Sequence, residues 1–194
     1  MTSRLDDAFV RIDAANAGDP NRIVVDGVER PKELVHAEMM TEWVRRLDPE
    51  ADETQLLAAR AHHLRRWSIP RQSYPDGRSG YLRWRKRLKD QHAEEVVELL
   101  APAGYEPAAI ERVQAIIRKE GLGRDPAVQV HEDALCLVFL QTQALELAGE
   151  MGEDKTLSVL EKTLQKMSPA GIDAALALDV HPAVRDLLVR ATPS

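Results

Sequence analysis

The sequence predicts an all-α protein, and three observations carry that prediction. Apolar residues recur at helical spacing along most of the chain, no sustained run alternates β-branched with polar residues, and prolines and glycines fall where helices would start and stop. At 194 residues, 44% hydrophobic and 30% charged, the chain is expected to form one helical domain over 1–194, with a core over 31–140 and a helical tail over 153–194.

The elements follow in order. Leu5 to Ala17 reads as a first helix, ended by Gly18-Asp19-Pro20, and Arg22 to Glu29 as an extended or turn segment. Pro31 suits the first turn of a helix running to about Leu47, before Asp48-Pro49. Glu53 to Trp67 is expected to be the next helix, stopped by Pro70, and Tyr74 to Gly80 a loop. A long helix is expected from Tyr81 to Leu100, then Pro107 to Glu120, and Pro126 to about Gly149. Asp154 to Lys166, Pro169 to Leu178 and Pro182 to Arg190 make a tail read as completing the core.

Several classes are excluded at once. The longest uninterrupted apolar run, Ala134 to Leu140, is far shorter than the roughly 20 residues that cross a bilayer. The N-terminus has no basic stretch followed by an apolar one, so no secretory leader is expected. A lone cysteine, Cys136, allows no internal disulfide and suits a reducing compartment, so the expected location is the cytoplasm.

Ionisable residues on apolar faces point to a site. His36 shares its stripe with Met40, Trp43 and Leu47, and His92 lies in line with Tyr81, Leu88, Val96 and Leu99. Asp133 interrupts the stripe Val130, Leu137, Leu140 and Ala144, and Glu120 continues Val113 and Ile117. On the Glu53 helix, Leu57, Ala61 and Leu64 form one face, while His62 and His63 point the other way beside Ala58 and Ala59, which suggests a cavity next to a central helix. A single buried histidine is usually an ordinary core residue; a buried carboxylate must be neutralised by a proton, a cation or a metal. One shared divalent ion accounts for all these inward groups together. His131, opposite Asp133, and His181, beside Pro182, read as surface residues.

Charge is uneven. The net charge is −6, which disfavours a general nucleic-acid binder. Yet Arg60 to Lys89 carries ten basic residues against the single acid Asp76, together with Trp67, Tyr74, Tyr81 and Trp84. Guanidinium groups interleaved with flat rings hold phosphate and stack a base, although long basic side chains also simply cover apolar surface.

The order His36, His62-His63, His92, then Asp133 within EDALCLVFL, resembles the HD superfamily of metal-dependent phosphohydrolases, in which a His, a His-Asp dipeptide and a later Asp hold the metal. AARAHHLRRW stands where that family has its His-Asp pair, and the likeness spans about Pro31 to Leu140. It implies an HD-like helical bundle and assigns His36, His62 and Asp133 as metal ligands. His63 replaces the family's aspartate and joins them as a metal candidate. A longer likeness, through HHLRRWSIPRQSYPDGRSGYLRWRKRLKDQHA, IIRKEGLGRDP and KTLQKMSPAG, is to an uncharacterised bacterial and fungal domain-of-unknown-function family. Some of its members carry a glutamyl-tRNA synthetase label. Lys166-Met167-Ser168 matches part of a synthetase loop, but no HIGH-type sequence is present.

The expected activity is therefore metal-dependent hydrolysis of a small phosphorylated, nucleotide-like substrate, with no membrane partner. Imidazole and carboxylate ligands suit Mn, Fe, Co, Ni or Zn. Glu120 and His92 are the candidates for proton transfer. Arg65, Arg66, Arg85 and Lys89 are the candidates for phosphate charge, and Trp67, Tyr74 and Trp84 for packing a ring. Two alternatives are an HD-type di-iron oxygenase and a non-catalytic degenerate module that binds RNA or another anion.

Overall fold

The computed structural model describes residues 3–25 and 27–192. Helix α1 (Arg4–Asn16) opens on a capping box: the Ser3 hydroxyl accepts from the Asp6 N–H while the Asp6 carboxylate accepts from the Ser3 N–H. The segment expected to be extended forms a short antiparallel hairpin of β1 (Arg22–Val25) and β2 (Val28–Pro31), with Gly27 at φ 76° in its connection. Pro31 then starts α2 (Lys32–Leu47) without a side-chain cap of its own. The buried Asp19 supplies one from a distance, its Oδ2 accepting from the Glu33 N–H at 2.9 Å.

Helix α3 (Glu53–Arg60) carries a second capping box, Asp52 with Gln55. It stops at Arg60, not at Trp67 as the periodicity suggests. Residues 61–65 coil into a turn that ends at Arg65 in the left-handed region, φ 48°, where the buried Asn16 Oδ1 accepts the Arg65 N–H at 3.0 Å. A non-glycine residue held there stores backbone strain, about 1 kcal/mol. Two single-turn 3-10 helices, Arg66–Ser68 and Arg71–Ser73, lead into α4 (Gly77–Leu100), which begins a turn earlier than its stripe predicts. Gly80 makes that early start possible, because a Cβ there would lie 1.8 Å from the Pro75 carbonyl oxygen. Gly80→Ala is expected to destabilise the protein by more than about 2 kcal/mol in urea unfolding, since the opposing atom is backbone and cannot swing away.

Helix α5 (Pro107–Arg118) ends with Lys119 in the left-handed position usually given to glycine, φ 61°. The next pattern divides at Gln143 into α6 (Pro126–Thr142) and α7 (Ala144–Met151), followed by α8 (Glu153–Leu164), α9 (Pro169–Leu176) and α10 (Pro182–Ala191).

Three apolar cores result, and α6 takes part in all of them. Val128 joins the core of α1, α3, α4 and α5; Ala134 and Val138 join Met40, Val44 and Leu56 between α2 and α3; Leu137 and Leu140 join the core of α7 to α10. Ala58 and Ala59 of α3, and Ala61 just after it, are fully buried, letting neighbouring helices approach closely, and the cavity lies instead beside His62 and His63. Among the described residues, no helix is long and apolar enough to cross a membrane.

Candidate functional site

Helix α2 and the turn after α3 bring three donors together. Glu33 and His36, one turn apart on α2, meet His63 so that one donor atom from each lies within 4.8 Å of the others. Glu33 Oε2 is 2.9 Å from His63 Nδ1 and 3.4 Å from His36 Nδ1. Donors bound at 2.0–2.1 Å in a tetrahedral shell sit roughly 3.3 Å apart, so these spacings need little adjustment to hold an ion. The other ring nitrogen, His36 Nε2, is buried without a hydrogen-bond partner, so this ring has a free donor atom to offer.

The protonation states agree with that use. Burial alone would push the Glu33 carboxyl up, but the charge that His63 carries when protonated, hydrogen bonds from His36 and His63, and the charge of Arg66, whose Nη1 is 3.5 Å from Oε1, bring it well below the usual range. Burial pushes His63 down to about 4, partly offset by Glu33, so at neutral pH the ring is uncharged, and a metal would take the place of the proton that Nδ1 shares with Glu33.

Beside this group opens a cavity of about 520 Å³. Arg66, Arg78, Arg85, Lys89, Lys119, Lys162 and Lys166 line it, against one carboxylate, Glu132. Leu82, Leu88, Leu135, Phe139 and Tyr81 supply its apolar wall. His62, His63 and His92 line it too. The His92 Nδ1 lies 2.8 Å from the Leu64 carbonyl oxygen, which can only accept, so Nδ1 carries the proton and Nε2 is left as an acceptor. At the buried end, Lys119 bonds Glu132, whose other oxygen is 3.7 Å from Lys166. Burial lowers the Lys119 pKa, partly offset by Glu132; burial raises that of Glu132, but Lys119 and Lys166 bring it below the usual value.

Several expected residues lie elsewhere. Asp133 is outside the donor group: its oxygens accept from the Ser168 N–H at 2.9 Å, the Ser168 hydroxyl at 2.5 Å and the Gln129 amide at 3.0 Å. It ties α6 to the start of α9, which neutralises a core carboxylate without an ion. His62 Nδ1 faces His131 Nε2 at 2.8 Å. His131 is buried, contrary to the surface position expected, whereas His181 is exposed and caps α10. Glu120 is exposed, because α5 has ended at Arg118 and the helical spacing no longer applies; its neighbour Lys119 enters the cavity instead.

Of the expected phosphate and ring contacts, Arg66, Arg85 and Lys89 line the cavity. Arg65 reaches Glu95 at 3.3 Å, Trp67 stands over Gly18, and Tyr74 gives its carbonyl to Arg71. Trp84 is buried, its indole N–H donating to Ile69 and its ring stacked under Arg66, so it positions that arginine from behind. The aromatic rings that line the cavity are Tyr81 and Phe139. The C-terminal tail does more than complete the core, since Lys162, Thr163 and Lys166 form part of the cavity wall.

Glu33 is the donor that sequence spacing had on offer and that was not singled out. Its signal was the Glu-x-x-His interval to His36, a spacing that puts both side chains on one helix face. No curated protein and no solved structure matches the chain significantly. Residues 6–188, nearly the whole chain, match a family profile, and the chain belongs to the family described as Domain of unknown function (DUF4202).

Proposed function

We propose that this protein is a metal-dependent hydrolase of a small phosphorylated substrate, with Glu33, His36 and His63 holding one divalent transition ion. The observation that carries the reading is that His63 belongs both to the donor group and to the wall of the cationic cavity, and that Arg66 reaches from that wall to Glu33. An ion held there supplies a Lewis acid for a phosphoryl oxygen and a lower pKa for attacking water. Arg66, Arg85 and Lys89 neutralise phosphate charge, and His92 Nε2 accepts a hydrogen bond from water and orients it. Glu33 also answers the departure from the HD pattern: the carboxylate missing at His63 is provided one helix away. The lone cysteine, pushed up to about 12 by burial and so kept as a thiol, fits a reducing, cytoplasmic setting.

A second reading rests on the donor set. Two imidazoles and one carboxylate also serve non-haem iron oxygenases. Elemental analysis of protein purified without chelator, followed by phosphate release from a panel of phosphate esters with Mn, Co, Ni or Fe, separates the readings. The hydrolase reading expects about one ion per chain and release lost in His63→Ala. Oxygen uptake with Fe and no phosphate release would establish the second reading. Protein free of metal and inactive with every ion would refute both, leaving an anion-binding module.

A further inference from the structure

The cavity carries more positive charge than one phosphate ester can neutralise. Arg78, Arg85, Lys89 and Lys162 line it with no ion-pair partner among the described residues, and Lys119 and Lys166 must share the one carboxylate of Glu132. Pairing elsewhere on the molecule is ordinary: Lys86 and Arg87 on the same helix each hold an acid, and Arg190 holds two. Arg85 and Lys89 are half-buried while Arg78 and Lys162 are exposed at the rim; gathered around one cavity these cations repel one another, and a bound anion relieves that cost. The charges also form two groups that share no residue. One is Arg66 with the Glu33, His36 and His63 donors; the other is Lys119, Glu132 and Lys166, with Lys162 one turn before Lys166 on the tail. Lys119 is held in a left-handed backbone conformation and largely buried, so the fold bears strain to keep a cation there.

We propose that the cavity takes a small polyanion carrying at least two phosphoryl groups, one at Arg66 and His63 and a further one at Lys119, Lys162 and Lys166, with its uncharged part against Leu88, Leu135 and Phe139. The proposal rests on the hydrolase reading for which phosphoryl group reacts; binding itself needs no metal. The tail helix α8 is then the element that sets specificity for the number of phosphates.

The test is calorimetric titration of the full chain, in EDTA, with inorganic orthophosphate, pyrophosphate and tripolyphosphate. Tripolyphosphate is expected to bind at least about tenfold more tightly than orthophosphate, with pyrophosphate between. Lys162 is exposed, so Lys162→Glu should keep the melting temperature within about 2 °C while weakening tripolyphosphate about tenfold. Equal affinity for the three phosphates, or tripolyphosphate binding untouched by Lys162→Glu, would overturn the proposal. Because EDTA removes any ion, neither result depends on whether Glu33, His36 and His63 bind metal.

Discussion

Glu33→Gln empties the metal site and Asp133→Ala does not: that is the expected result with the largest effect. A glutamine keeps the size of Glu33 but offers no anionic oxygen, so affinity for Mn, Co or Ni should fall by at least about 100-fold. Asp133 is not one of the three grouped donors; it receives three hydrogen bonds from Ser168 and Gln129. Its removal leaves the part-buried Ser168 donors without this partner and loosens the junction of α6 with the start of α9, at a cost of about 3 kcal/mol, or roughly 6–12 °C in melting temperature for a chain of this size. Metal titration and thermal melts of the two variants, run side by side, read both effects. Loss of metal in Asp133→Ala equal to that in Glu33→Gln would show that the carboxylate has been assigned wrongly.

Stability should fall steeply in mild acid. Burial pushes His92 and His131 down to about 3, against about 6.5 in an unfolded chain. Between those values the unfolded state binds more protons than the folded state, so stability is full above about pH 6.5 and declines as pH drops toward 3. From pH 7.5 to 5.5 each histidine removes about 1.4 kcal/mol, and the two together about 3 kcal/mol, a large share of the 5–15 kcal/mol that holds a typical domain folded. His63, at about 4, acts in the same direction. Urea unfolding across this range, in EDTA so that metal binding adds nothing, measures it. His92→Gln keeps a donor for the Leu64 carbonyl but takes up no proton, and should reduce the slope by about one proton. An unchanged profile in that variant would place the acid sensitivity elsewhere.

The helical class was legible because proline and glycine mark most helix ends and the 3.6-residue period is strong between them. His36 could be picked out for a related reason, since a polar side chain in an apolar stripe has to be satisfied by something, whereas His63 stood out as half of a histidine pair opposite the apolar face of its helix. What escaped was tertiary. Glu33 sits in the first turn of α2, where an acidic residue is expected merely to complement the helix dipole, so its spacing to His36 carried no alarm. His131 looked exposed because it opposes Asp133, but α6 runs between three cores and is covered on nearly every side, so for this helix no face is outside. Glu120 and the histidine pair were placed by extending helices that end early, at Arg118 and Arg60, where left-handed turns at Lys119 and near Arg65 redirect the chain. A residue other than glycine at such a turn leaves little trace in a sequence.

The end of α1 has a consequence for how the donors are assembled. Asn16 fastens the turn that presents His63, and Asp19, three positions on, fastens the backbone of Glu33. Two side chains that touch no ligand thus act as a gauge, setting the gap between the halves of the ion cradle. A chain lacking α1 would keep all three donor residues yet lose their common alignment, so the capacity to capture an ion belongs to the N-terminal helix as much as to the histidines themselves.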